Sequence, residues 1–194
     1  MGLLLSAVAS VFLIWIVRDQ EISTLVACCV YCATLTLLYA ASTLSHSFHD
    51  LEWRRFFRTL DQACIFLLIA GSFTPIATMF LNHGWWKLLL PAMWLLTFAG
   101  VFLVLRIRKM AGAAKVVYVA LGWLPAIALW ELYQRAPAPL LYWLLAGGGF
   151  YSVGTLFLRY SDRVRYLHAL WHAFVIAGSV CHYIVILVYV AEGR

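Results

Sequence analysis

Seven apolar runs occupy nearly the whole chain, at about 2–17, 22–46, 60–81, 85–105, 115–134, 138–158 and 166–190. A helix that crosses a bilayer needs roughly 20 such residues. Apolar and polar residues do not alternate along these runs, so strands of a membrane barrel are not expected. The pattern predicts an all-α integral membrane protein of seven transmembrane helices, forming one domain over residues 1–194.

The composition closes the alternatives. The chain is 65% hydrophobic and 11% charged, whereas an average soluble domain holds about 25% charged residues. Too few charges are present to cover a soluble surface. The net charge of +6 sits in short connections, and no stretch interleaves basic and aromatic residues on a polar face. Nucleic acid is therefore not an expected partner. Five cysteines, Cys28, Cys29, Cys32, Cys64 and Cys181, all fall inside apolar runs. An odd count there argues against a disulfide framework, and free thiols pack as small hydrophobes. The opening "MGLLLSAVASVFLIWIV" lacks the basic start of a signal peptide and reads as a short spanning helix.

The connections assign an orientation. Those after the second, fourth and sixth runs hold Arg54, Arg55, Arg58, Arg106, Arg108, Lys109, Lys115, Arg159, Arg163 and Arg165. The others, with the C-terminus, hold only Arg18, Lys87, Arg135 and Arg194. Basic loops stay in the cytoplasm. The N-terminus is then cytoplasmic and the C-terminus extracytoplasmic. Trp85, Trp86, Trp123, Trp130 and Trp143 fall nearer the outer face and Trp53 and Trp171 nearer the inner one, as interfacial belts do. Pro75 and Pro125 sit within spans and predict local kinks.

Ionisable groups inside spans are costly and mark function or a partner. Here they are His46, Asp61, Glu131, His168, His172 and His182. The orientation brings His46, Asp61, His168 and His172 to one depth near the cytoplasmic face, although they come from three different runs. His168 and His172, in "HALWH", are four apart and share a helix face. Such a pair is a common half-site for zinc. His46 offers a third nitrogen. Three protein ligands leave the fourth position for water, the pattern of a catalytic zinc site. Asp61 can then bond that water or take its proton. Ser42, one turn deeper than His46 on the same face, can orient a ligand or touch substrate.

Each residue also has a plainer reading. A lone histidine at a helix end is an interfacial anchor, and an aspartate near a helix start is a cap. His49 and His83 lie in connections. His182 lies about 15 Å deeper than His172 and reads as a core or outer-cavity histidine. Glu131 reads as interfacial.

Four segments resemble one family. They are Ser42 to His46 ("SxxxH"), "LDQACIFLLIAGSFTP" from Leu60, "LGWLP" from Leu121, and "HALWHAFVIAGSVCHY" from His168. Together they are similar to the hemolysin III family, the bacterial branch of the progestin and adipoQ receptor superfamily. The resemblance implies seven helices with a cytoplasmic N-terminus in a bacterial inner membrane. It implies Zn2+ held by His46, His168 and His172, with Asp61 reaching the metal through water and Ser42 alongside. Adiponectin receptors are linked to ceramide hydrolysis, and alkaline ceramidases are similar in motif pattern. Family members usually carry a polar segment with an "NxxTH"-like motif before the first helix; this chain opens at "MGLLLSAV", inside its first apolar run.

The expected function is a zinc-dependent hydrolase of a lipid amide or ester bond, with catalytic Asp61 and Ser42 and a membrane lipid or fatty-acyl substrate. Alternatives are a receptor or sensor with structural zinc, and a hemolysin-like membrane-perturbing protein. An ion transporter ranks below these, because the polar groups cluster at one end of the spans rather than at mid-membrane.

Overall fold

A computed structural model of the chain describes residues 2–106, 111–161, 164 and 166–193. Every regular element among the described residues is helical. Six helices are long and apolar enough to cross a membrane, joined by the shorter apolar helix Gly2–Val17. Arg108, Lys109, Arg163, Arg165 and Arg194, which contribute to the charge-based orientation, lie outside the described residues.

The chain gathers into two units, Met1–Leu121 and Gly122–Arg194. In the first unit α1 (Gly2–Val17) packs on α2 (Ile22–Ser47), α2 packs along α3 (Leu51–Phe80), and α4 (Leu89–Arg106) also packs on α3. A 3₁₀ turn, Trp86–Leu88, leads into α4, and α5 (Ala111–Trp123) follows it.

α3 starts nine residues before the apolar run that announced it. The stretch "LEWRRFFR" was expected as a connection and is helix instead. Asp50 caps it: its carboxylate accepts from the backbone N–H of Glu52 at 2.8 Å and of Trp53 at 3.1 Å. Such a cap satisfies donors that otherwise have no intrahelical partner. Leu, Glu, Arg and Phe then propagate the helix regardless of their hydropathy.

On α3, Gly71 lies tightly against Thr34 of α2. A Cβ built at Gly71 would run into the Thr34 side chain, its Oγ1 first. Thr34 turns that hydroxyl back on its own helix, donating to Tyr31 O at 2.9 Å. This contact sets how α2 carries His46 relative to α3 and Asp61. Gly71→Ala should lower the melting temperature of the purified protein by several degrees, the overpacking cost being about 1–3 kcal/mol. Adding Thr34→Ala should restore part of the loss; a Gly71→Ala protein that melts like wild type would sink the argument.

α3 continues through Pro75. The threonines around it bond within the helix, Thr74 Oγ1 to Ala70 O at 2.7 Å and Thr78 Oγ1 to Thr74 O at 2.8 Å. Thr74 also accepts from the Trp94 indole at 3.1 Å, which ties α4 to α3.

In the second unit the α-helix gives way around Pro125 to a 3₁₀ segment, Leu124–Ala128, before α6 (Leu129–Arg135). The predicted irregularity there is a change of helix type. α7 (Ala138–Tyr160) packs along α8 (Leu167–Val185), which ends in a π-helical turn, Ile186–Ala191. Trp171 does not join an interfacial belt. It is 7% exposed and packs against Gly154, where the missing side chain leaves room for the indole. Trp123 is half exposed, and its indole donates to Ser152 at 2.8 Å. The five cysteines are free, and all but Cys29 are buried.

Candidate metal centre

In the second unit, His168 and His172 occupy the first turns of α8. Helical spacing puts them on one face, and their rings meet edge to face, with centroids 4.6 Å apart and planes at 89°. Nε2 of one lies 3.1 Å from Nε2 of the other. That separation suits one imidazole N–H donating to its neighbour. It also suits two ligands of one zinc: with Zn–N near 2.05 Å, nitrogens 3.1 Å apart subtend about 100°, close to the tetrahedral angle. The donor chemistry fits as well, since neutral imidazole is a preferred zinc ligand.

In the first unit, His46 sits in the last turn of α2 and is exposed. The charges of Arg58 and Arg54, from the start of α3, act on it. Ser42 is half-buried one turn earlier, and its carbonyl accepts the Ser45 hydroxyl at 2.7 Å. Asp61 is half-buried on α3, within electrostatic reach of Tyr118 and Cys64.

Tyr118 is the residue that sequence reading missed. It is 5% exposed, with its ring edge-on to Phe66 at 5.9 Å. A tyrosine buried to that degree needs work for its hydroxyl, but one phenol among ten in an apolar chain carries no spacing signal.

The remaining polar residues fall away from these groups. His49 is exposed. Glu131 pairs with Arg135 one turn on. His182 is a packed histidine: both ring nitrogens are closed off from solvent, and the Leu144 backbone beside them falls outside strict hydrogen-bond geometry. Its ring lies against Gly147, whose Cβ would come within 2.6 Å of Nε2, and edge-on to Tyr151 at 5.5 Å. The Tyr151 and Ser179 hydroxyls meet beside it at 3.0 Å.

A polytopic, all-helical membrane protein with an i, i+4 histidine pair at the start of its last long helix is the class these features define. Within that class the chain belongs to the haemolysin III-related family, whose model matches residues 1–183. It is 37% identical over 171 residues to Hemolysin-3 of Bacillus cereus, covering 87% of this chain and 77% of that protein. It is 33% identical over 190 residues to a Hemolysin-3 homolog of Bacillus subtilis (strain 168), covering 97% and 89%. A more distant similarity, 25% over 174 residues, links it to the human monocyte to macrophage differentiation factor, covering 82% and 68%. The resemblance to the hemolysin III branch of the progestin and adipoQ receptor superfamily is thus met by the comparisons.

Proposed function

We propose that the protein is a seven-helix, multi-pass zinc protein of a bacterial inner membrane that hydrolyses an amide or ester bond of a lipid. The observation that carries this reading is the His168–His172 pair, with its Nε2 atoms at two-ligand spacing. His46, in the last turn of α2, is the third nitrogen that this reading assigns to the ion. Bound zinc would polarise a substrate carbonyl and lower the pKa of water toward about 7. Asp61 has the role of proton acceptor, as a partly enclosed carboxylate with no ion pair among the described residues. Ser42 orients the substrate or a ligand from one turn below His46. Tyr118, buried within reach of Asp61, holds the carboxylate in place. The apolar faces of the helices supply acyl-chain contact without further polar groups.

Purified protein loaded with zinc and offered a panel of ceramides and phospholipids should release free fatty acid, read by mass spectrometry. Zinc-loaded protein that leaves the whole panel intact would count against the hydrolase.

The charge distribution supports seven crossings, with the N-terminus in the cytoplasm. A C-terminal alkaline phosphatase fusion should then be active and a C-terminal green fluorescent protein fusion dark. The opposite pair of results would place the C-terminus in the cytoplasm and overturn this orientation.

A further inference from the structure

At 1.5 Å per residue the 30 residues of α3 span about 45 Å, against a hydrocarbon core of about 30 Å. Roughly its first ten residues therefore stand among headgroups, and all its basic residues lie there. Topology alone accounts for that charge. It does not account for two features around it.

The first is aromatic. Phe48 stacks on Phe57 with centroids 5.1 Å apart and planes at 6°. Trp53 stacks on Phe57 at 6.1 Å, and Phe56 stands edge-on to Phe57 at 5.3 Å. Trp53 and Phe56 nonetheless remain 55% and 56% exposed. The second is a stripe. Arg54, Arg58 and Asp61 follow i, i+4, i+7 spacing and share one face of α3, with Asp61 about 4.5 Å deeper than Arg58. Arg55 points elsewhere around the helix. The Arg54 and Arg58 guanidinium groups make no ion pair or side-chain hydrogen bond among the described residues, and both charges act on His46.

We infer that Arg54 and Arg58 form a binding site for the phosphate of an anionic phospholipid headgroup, with the Trp53–Phe56 edge seated at the acyl boundary. Two guanidinium forks one turn apart match phosphate oxygens bidentately. A choline headgroup brings its own cation and is disfavoured by the same pair. Aromatic rings at the interface hold a helix at headgroup level. The site needs no metal, so it stands apart from the hydrolase reading.

Native mass spectrometry of the detergent-released full chain tests it, with phosphatidylglycerol and phosphatidylcholine added at equal concentration. Wild type should retain phosphatidylglycerol roughly tenfold better, the worth of one charge-assisted hydrogen bond. R54Q/R58Q should lose that preference and R55Q should keep it. Should the double variant fail to fold, R58Q alone should weaken the preference and R58K should retain most of it. The inference is overturned if R54Q/R58Q still selects phosphatidylglycerol, or if R55Q loses selection equally, which would mean diffuse charge. Displacement of the lipid by millimolar inorganic phosphate would overturn the lipid assignment in favour of a free phosphate site.

Discussion

Zinc should accompany the wild-type chain at close to one ion per molecule and should fall to less than about a tenth of that in His168→Ala. His172→Ala should behave alike, because the pair shares one face of α8. His46→Ala is the decisive arm. A two-histidine half-site binds weakly and is stripped on purification, whereas three nitrogens hold the ion. His49→Ala is the control, since His49 is exposed in the connection before α3 and offers the ion nothing. Elemental analysis by mass spectrometry reads all four. Zinc retained by His46→Ala would remove His46 from the ligand set and leave α8 to bind metal alone. Metal binding to the folded form also stabilises it by mass action, so chelation should lower the melting temperature of wild type and leave that of His168→Ala unmoved.

Asp61→Asn should keep its zinc and lose turnover by about 10² to 10⁴, the range that a positioned acid–base group contributes. Asparagine keeps the shape of the side chain and its hydrogen-bonding capacity but accepts no proton. Tyr118→Phe should fall by a smaller factor, the buried phenol lying within electrostatic reach of Asp61. The measurement is fatty-acid release from the best lipid of the panel, normalised to bound metal. Equal rates for wild type and Asp61→Asn would remove Asp61 from the chemistry. Loss of metal in step with loss of rate would make Asp61 a support of the metal instead.

Much of this was legible before any coordinates. Hydropathy places the spans because a bilayer leaves a backbone few options. Four-residue spacing places His168 over His172 because a helix turn does so wherever it forms. What escaped has physical causes too. Arg54, Arg55 and Arg58 made the start of α3 look like a loop, because hydropathy reports burial in oil and says nothing of helix propensity. The Asp50 cap was the better signal, with Glu52 in the first turn. Trp171 read as an interfacial anchor from its position alone; Gly154, which makes room for it, is 17 residues away and on another helix. The break at Leu124–Ala128 could be placed from Pro125, but not its 3₁₀ form. Nothing in "ILVYVA" announces a π-helical turn. Tyr118 was invisible because its partner is remote in sequence.

The shortness of α1 has a mechanical consequence. Its 16 residues reach about 24 Å, while α2 beside it, with 26 residues, reaches about 39 Å. Two neighbours so unequal cannot both match one flat slab of lipid. α2 adapts by leaning, but a crossing α1 draws the leaflets together around itself, with Arg18 folded over Trp15 at its end. Such hydrophobic mismatch is paid in bilayer deformation and favours thinner membranes. Acyl-chain length in the host membrane should therefore tune how firmly the first helix sits.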